Sequence, residues 1–418
     1  MYKIRNLEKS NLNEYIDIIS NAYPGLMIDS YEKKQRQLNK IVEAFDTKKN
    51  STLIGTFLEN ELVGCMTFFD FKMNLLSKIV DVGGLGSLAV HLLHKKEKIA
   101  MEMVKNFIYY YKNKNCCISL LYPFRSDFYK KMGFGQGSGK RRYSLKPADI
   151  PNFKIKKNLK FIDLNNLESI TEYYNSKFKT INGLLEKSVS DFKNTIKNNH
   201  LTPVGYYDNN SLKGYFLFKF NKIDSVNPFI NDIVVTEMLY DNPLVLQSIM
   251  TFLNSQSDQV KHVVFEISDE NLKFYFDNPS MDFEGFLSPF NNIYSLEGVN
   301  LMYRINDVEL LFNTLKNHNF SDENLKLKLN VNDNFIEENN KSFLIKFEKG
   351  YPSIEFTNQN HDVEMSIDIS DLSSLITCSI DFLTLYNYGK ISISKKQFAK
   401  KLNKLFSTSS KPICLSYF

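Results

Sequence analysis

The stretch Leu120 to Gly135, LLYPFRSDFYKKMGFG, gathers the residue types best suited to chemistry in this 418-residue sequence. Its apolar start ends a strand, Pro123 breaks it, and a short helix carries Phe128 and Tyr129 on one turn before Gly133 and Gly135 stop it. Tyr129 is therefore expected at a strand-to-helix junction. A phenol with an ordinary pKa of about 10 is a hydrogen-bond donor at neutral pH and can hand a proton to a departing thiolate. An isolated Phe-Tyr pair is more often aromatic core, so a chemical role has to come from context. The C-terminus, SKPICLSYF, supplies a second unusual stretch. Termini are normally polar and frayed, whereas burying Ile413, Leu415, Tyr417 and Phe418 would carry the α-carboxylate of Phe418 into the protein. Such a carboxylate is costly unless partnered or used. The other reading is an edge strand whose carboxylate reaches solvent.

The elements that would position these groups follow from hydrophobic periodicity. Tyr2 to Leu7 alternates as a strand, Ser10 to Ala22 and Tyr31 to Phe45 read as helices, and Ser51 to Leu58 with Leu62 to Phe71 reads as a hairpin turning at Glu59 to Glu61. Lys78 to Val90 is a Gly-interrupted strand, Lys95 to Tyr111 a helix with one broad apolar face, and Cys116 to Tyr122 a strand. That order is a crossover joining parallel strands. The helix start, HKKEKIA, offers unpaired N–H groups and a positive dipole end, the physical requirement for holding a phosphate. The KKEK run also fits a solvated first turn.

A second unit is expected from Pro151 and repeats the plan: strands Leu201 to Tyr207, Leu212 to Phe220 and Phe229 to Thr236, helix Pro243 to Leu253, strand Val260 to Ile267. Its helix start reads DNPLVL, with no basic residue for a phosphate. Beyond Asn300 come a strand LMYRI, a helix Val308 to Leu315, strands Leu325 to Val331, Ser342 to Lys349, Ser353 to Thr357 and Val363 to Ile369, and a last helix Lys395 to Leu405.

Composition narrows the class. With 43% hydrophobic and 24% charged residues the chain reads as soluble and globular, and its length allows two to four domains at about 150 residues each. Lys and Arg number 52 against 47 Asp and Glu, a net +5 spread along the chain and too weak to argue for nucleic acid. The five cysteines, Cys65, Cys116, Cys117, Cys378 and Cys414, lack metal-site spacing, lie beside apolar runs and read as small buried side chains in a reduced compartment. No apolar run is long enough to span a membrane. The expectations are a cytoplasmic protein with no metal, no nucleic acid and no membrane partner.

Residues 1–145, with LAVHLLHKKEKIA followed by LLYPFRSDFYKKMGFG, resemble the GNAT superfamily of acetyl-CoA-dependent acetyltransferases. With the second, motif-poor unit, the α/β end domain and the apolar terminus ending in Phe, the whole chain resembles the enhanced intracellular survival (Eis) family. The resemblance implies an α/β (α+β) fold: a catalytic GNAT domain at 1–150, a second GNAT-like mixed-sheet domain at 151–298, and a sterol carrier protein-like domain at 299–418 with a buried C-terminus. It implies an N-acetyltransferase using acetyl-CoA as cosubstrate and acting on a primary amine, either a small aminoglycoside-like polyamine or a lysine side chain, in a homo-oligomer, a hexamer by family resemblance. Carried over by position, Leu88 and Val90 offer backbone groups to the pantetheine arm. The phosphate loop maps onto Lys95, Lys96, Glu97, Lys98, Ile99 and Ala100, with Lys98 where the family has Gly. Tyr129 maps onto the general acid and the α-carboxylate of Phe418 onto the general base, whose pKa an apolar pocket would raise. Family members bind amines in a cleft between the two GNAT-like units, and Asp29, beside the Pro24-Gly25 turn, is the candidate carboxylate for a cationic acceptor. The alternative is a non-catalytic binding protein on the same scaffold, in which Lys98 blocks the cofactor.

Overall fold

The computed structural model describes residues 2–47, 50–223, 227, 229–281, 291–355, 360–407 and 411–418. These divide into two units: 1–137 with 301–412 and 418, and 138–300 with 413–417.

The first unit is built on runs rich in aromatic and branched residues cut by tight turns. They form β1 (Lys3–Asn6), β2 (Ser51–Leu58), β3 (Glu61–Leu75) and β4 (Lys78–Val90), each antiparallel to the next of the four. Both hairpin turns are two residues long with positive φ at each, 50° and 83° at Glu59 and Asn60, 53° and 66° at Leu76 and Ser77. That geometry matches the right-handed twist of the strands. Helices α1 (Leu12–Ala22) and α2 (Tyr31–Thr47) lie between β1 and β2 in sequence. After β4 the chain crosses through α3 (Ile99–Asn113) to β5 (Ile118–Leu121), parallel to β4, then forms α4 (Ser126–Lys130) and the short β6 (Gly135–Gln136). One face of α3, Ile99, Met103, Val104, Phe107, Ile108 and Tyr111, is buried. At about 1.5–3 kcal/mol for each large apolar side chain, that face fixes the crossover. The helix starts at Ile99 and not at Lys95, because Lys96 and Lys98 hold φ of 70° and 63°.

The second unit contains β7 (Gly139–Leu145), β8 (Leu159–Phe161), α5 (Glu168–Phe178), α6 (Val189–Asn199), β9 (Thr202–Asp208), β10 (Ser211–Lys222), β11 (Asn231–Tyr240), α7 (Pro243–Asn254), β12 (Val260–Ile267) and β13 (Leu296–Val299). Its sheet runs β13-β7-β12-β11-β10-β9-β8, with β11 and β12 parallel. β7, which falls inside the range 1–150 expected for the first domain, pairs with β12 in this sheet. The start of α7 is capped by the Asn242 side chain, which accepts from the Val245 N–H at 3.2 Å. Inside this unit Lys187 and Glu237, 3% and 5% exposed, form a buried ion pair at 2.8 Å, and Tyr215 donates to the same carboxylate. Residues 413–417 belong here: the Ile413 N–H donates to Asn182 O at 2.8 Å, and Ile413 and Leu415 pack on the core around Tyr174 and Phe192. They form no strand, which corrects the edge-strand reading, and Tyr417 is 56% exposed, which corrects the expectation that it is buried. Its ring and hydroxyl are taken by Lys140 at the surface.

The C-terminal region returns to the first unit. β14 (Met302–Ile305) lies between β5 and β6, so the first sheet reads β1-β2-β3-β4-β5-β14-β6. Then follow α8 (Val308–Thr314), β15 (Leu325–Asn332), β16 (Ser342–Glu348), β17 (Tyr351–Glu355), β18 (Val363–Asp368), α9 (Ile369–Ile376), α10 (Phe382–Asn387), β19 (Ile391–Ile393) and α11 (Ala399–Leu405). Their sheet runs β17-β16-β15-β18-β19, and Leu325, Leu327, Leu329 and Val331 of β15 are buried in strict alternation. The end of the strand expected at Ser353 to Thr357 lies outside the described residues. Among the described residues no disulfide forms, no helix is long and apolar enough to cross a membrane, and no cluster of metal-ligating side chains occurs. Four cysteines are buried and Cys378 is partly exposed.

Candidate active site

β4 and β5 pair only over Gly83–Ser119, Gly84–Leu120 and Leu85–Leu121, and β4 then runs on to Val90 paired with β3 alone. The His91 N–H donates to Val63 O at 2.9 Å, on the β3 side. Alternate residues of a strand turn their amide edges to the same side, so Ala89 also faces β3 while Leu88 and Val90 face the gap left by β5. Both residues named for the pantetheine arm thus expose backbone groups into one opening. One group in that opening is already used: the Tyr23 hydroxyl donates to Leu88 O at 2.6 Å.

Tyr129 stands on α4, in the turn leading from the end of β5. It is 4% exposed, with the rings of Phe128, Phe124 and Phe134 at 5.2, 5.8 and 6.0 Å. Its backbone is pinned, since its carbonyl accepts from the N–H groups of Met132 at 3.0 Å and Phe134 at 3.2 Å. Its hydroxyl meets no partner among the described residues. Burial, then the neighbouring Tyr23, push its pKa well above the ordinary phenol value. Tyr129 is therefore a neutral, fixed O–H across the physiological range. Burial with nearby Cys65 and Tyr15 pushes Tyr23 up to about 12.

The turn before α3 is built from two left-handed lysines, Lys96 and Lys98. Lys98, the N-cap, is left-handed, and its carbonyl accepts from Met101 at 2.9 Å and Glu102 at 3.1 Å. Lys95, Lys96 and Lys98 are exposed and Ala100 is half-buried. The N–H groups of residues 96–100 donate to no acceptor among the described residues. Glu97 is drawn aside: its carboxylate accepts from the Tyr2 hydroxyl and sits 3.2 Å from His94 Nδ1. Lys98 thus adopts a left-handed backbone conformation of the kind that favours glycine, with its side chain exposed.

Phe418 belongs to the first unit. Its half-buried ring meets Phe71 at 4.9 Å, Tyr122 at 5.2 Å and Phe69 at 5.4 Å, and its edge crosses Gly84, where a Cβ would come within 3.0 Å. The burial expected of Phe418 is therefore partial, supplied by a seat of four residues. Tyr122 and Phe124, two residues apart, contact Phe418 and Tyr129 respectively. Asp29 lies apart from this group in the described contacts: it is exposed and paired with Lys33 at 2.7 Å, which lowers its pKa. Sequence reading missed Tyr23 and the Phe69-Phe71 seat. The FFDF alternation and a Tyr directly before a Pro-Gly turn were the available signals.

Residues 3–137 match the family model of an acetyltransferase (GNAT) domain, and residues 312–415 match that of a sterol carrier protein domain. The fold is shared end to end with solved structures. An Enterococcus faecalis protein described as a probable N-acyltransferase superposes with a TM-score of 0.81 at 16% identity, covering 100% of both chains. A GCN5-related N-acetyltransferase from Anabaena variabilis gives 0.79 at 15% identity, again over 100% of both. Eis1 from Mycobacterium abscessus gives 0.76 at 14% identity over 100% of both. A comparison with curated proteins finds no match. At these identities the likeness is one of fold.

Proposed function

We propose that this chain, a GNAT acetyltransferase domain joined to a sterol carrier protein domain on a fold shared with Eis1, is an N-acetyltransferase moving the acetyl group of acetyl-CoA to a primary amine. The observation that carries the reading is that one turn bears both contacts: Tyr122 packs on Phe418 and, two residues on, Phe124 packs on the buried Tyr129. Tyr129, Phe418 and residues 95–100 belong to one unit, which supports the reading.

In this reading the pyrophosphate of acetyl-CoA lies on the N–H groups of residues 96–100, with Lys95, Lys96 and Lys98 supplying charge. The pantetheine arm runs along Leu88 and Val90. The amine nitrogen attacks the thioester carbonyl, and the Phe418 carboxylate takes its proton directly or through water. The C–S bond breaks as Tyr129 gives its O–H proton to the leaving sulfur, so the products are the N-acetyl amine and CoA. Both substrates are bound together and no acyl-enzyme forms. The acceptor is a small polyamine or a lysine-bearing chain; Asp29 serves it only by exchanging Lys33 for the substrate cation. The protein is further read as a cytoplasmic homo-oligomer, a hexamer on the family likeness, which light scattering tests.

The test is direct. Acetyl-CoA binding is measured by calorimetry, then turnover with Tyr129→Phe and with the chain shortened by Phe418. Each variant is expected to lose at least about tenfold in kcat, equivalent to about 1.4 kcal/mol, with acetyl-CoA still bound. Unchanged rates in both remove the assigned roles. Absence of acetyl-CoA binding by the intact chain favours the non-catalytic alternative.

A further inference from the structure

We infer that Arg304 and helix α9, from the C-terminal region, are a brace for the Tyr129 turn, so that this region is a working part of the acyl-transfer site, with Arg304 as a positioning residue. The inference rests on Tyr129 being the acid.

The two glycines that end the Tyr129 motif have no room for a side chain, and in both cases the obstruction comes from residues beyond 300. A Cβ on Gly133, whose φ is 83°, would lie 1.5 Å from Arg304 Nη1. On Gly135 it would lie 2.0 Å from Ser370 O and 2.4 Å from Ser374 Oγ, both on α9. The turn is thus pressed onto a guanidinium at one glycine and onto a helix backbone at the other. Polar contacts hold the same stretch: the Ser374 hydroxyl donates to Gln136 O at 2.8 Å, and Lys130, the residue after Tyr129, pairs with Asp371 of α9 at 3.2 Å. β14, which carries Arg304, pairs with Leu121 on one side of the turn and Gln136 on the other through a single residue, Met302.

Arg304 itself is the unusual member. It is completely buried, and its Nη2 donates to Asp333 Oδ2 at 2.6 Å, while Nε and Nη1 find no hydrogen-bond partner among the described residues. Asp333 is fully engaged elsewhere, accepting from the N–H groups of Phe335 and Ile336 at 3.0 Å each and from Asn339 Nδ2 at 3.2 Å. A buried ion pair with two unused donors contributes little to stability compared with an apolar pair of similar volume. Its location, under the glycine that closes the Tyr129 turn, points to position as its purpose. An acid displaced by about 1 Å loses much of its rate, which is why such a brace has a catalytic consequence.

The experiment uses the full chain. In Arg304→Met/Asp333→Asn the charges leave together, and Asn retains an acceptor for Phe335 and Ile336; Asp371→Asn releases only Lys130 and serves if the double variant does not fold. Hydrogen exchange, acetyl-CoA affinity and kcat are measured, each also in a Tyr129→Phe background. The expected result is faster exchange across 126–136 but not across 99–113, acetyl-CoA affinity within about twofold, kcat down by about tenfold, and no additional loss once Tyr129 is Phe. Unchanged exchange across 126–136 overturns the brace. Loosened exchange with unchanged kcat, or a loss that adds fully to that of Tyr129→Phe, overturns its link to the acid. If Tyr129→Phe alone is fully active, the acid reading fails, and the exchange measurement still decides whether the brace exists.

Discussion

At the scale of single residues, Lys98 stands in the left-handed region with a side chain attached. A left-handed residue with a Cβ costs about 1–2 kcal/mol, so the loop keeps a conformation that glycine would adopt without strain. Lys98→Gly is accordingly expected to raise the melting temperature while acetyl-CoA affinity falls by no more than about twofold, one exposed lysine being a modest contributor. A tenfold loss of affinity in calorimetry would instead make the ammonium a principal phosphate ligand. The tyrosines give a second residue-scale expectation. Tyr15 and Tyr23 are pushed by burial from 10.0 up to about 12, and Tyr129 is raised further. Their folded-state pKa values exceed the unfolded ones, so the stability they contribute is complete below pH 10 and is lost as pH rises from there. Urea unfolding should therefore give a flat free energy from neutrality to about pH 9 and a fall above 10. In the same range kcat should show no descending limb from Tyr129.

At the scale of elements, β4 does most of the positioning, through what it lacks. Gly83 lets the Tyr111 ring of α3 lie across the strand, where a Cβ would come within 2.3 Å of that ring, and Gly84 does the same for Phe71 and Phe418. One strand thereby seats the crossover helix on one face and the terminal residue on the other. Gly83→Ala is expected to cost about 1–3 kcal/mol in urea unfolding through overpacking against Tyr111. Gly84→Ala should act on kcat more than on stability, because it presses on the half-buried Phe418. Equal effects of both on stability alone would argue against the seat. The helix start of the second unit makes the contrast: Pro243 lacks an N–H, and the Asn242 side chain occupies Val245 N–H, so α7 has little to offer a phosphate.

At the scale of the whole molecule, the first sheet is not built from consecutive sequence. β14 fills the place between β5 and β6 with residues Met302–Ile305, and Asn306 continues the link, donating to Cys116 O at 2.9 Å and Ser119 Oγ at 2.8 Å. Residues 1–137 expressed alone would expose the edges of β5 and β6 and leave Ser119 without its buried partner. That fragment is expected to be poorly soluble or without cooperative unfolding by circular dichroism, whereas 1–137 joined by a flexible linker to 301–412 should fold and bind acetyl-CoA. A well-folded 1–137 fragment would show that β14 is dispensable.

Local elements and the chemistry of single residues are legible from residue order. The β2-β3 hairpin, the α3 crossover, the alternating strand β15 and the Tyr129 turn follow from periodicity and turn residues, which act over a few positions. Residue order also marked Tyr129, the lysine-rich helix start and the apolar terminus, since residue type alone limits what each can do. Tertiary structure alone decided which strands share a sheet, that β7 joins the second sheet and β14 the first, and that Gly133 and Gly135 are small because Arg304 and α9 lie against them. The reason is physical: a two-strand pairing or a buried guanidinium is specified by the energy of contacts between residues more than a hundred positions apart. No local pattern in either segment records its partner.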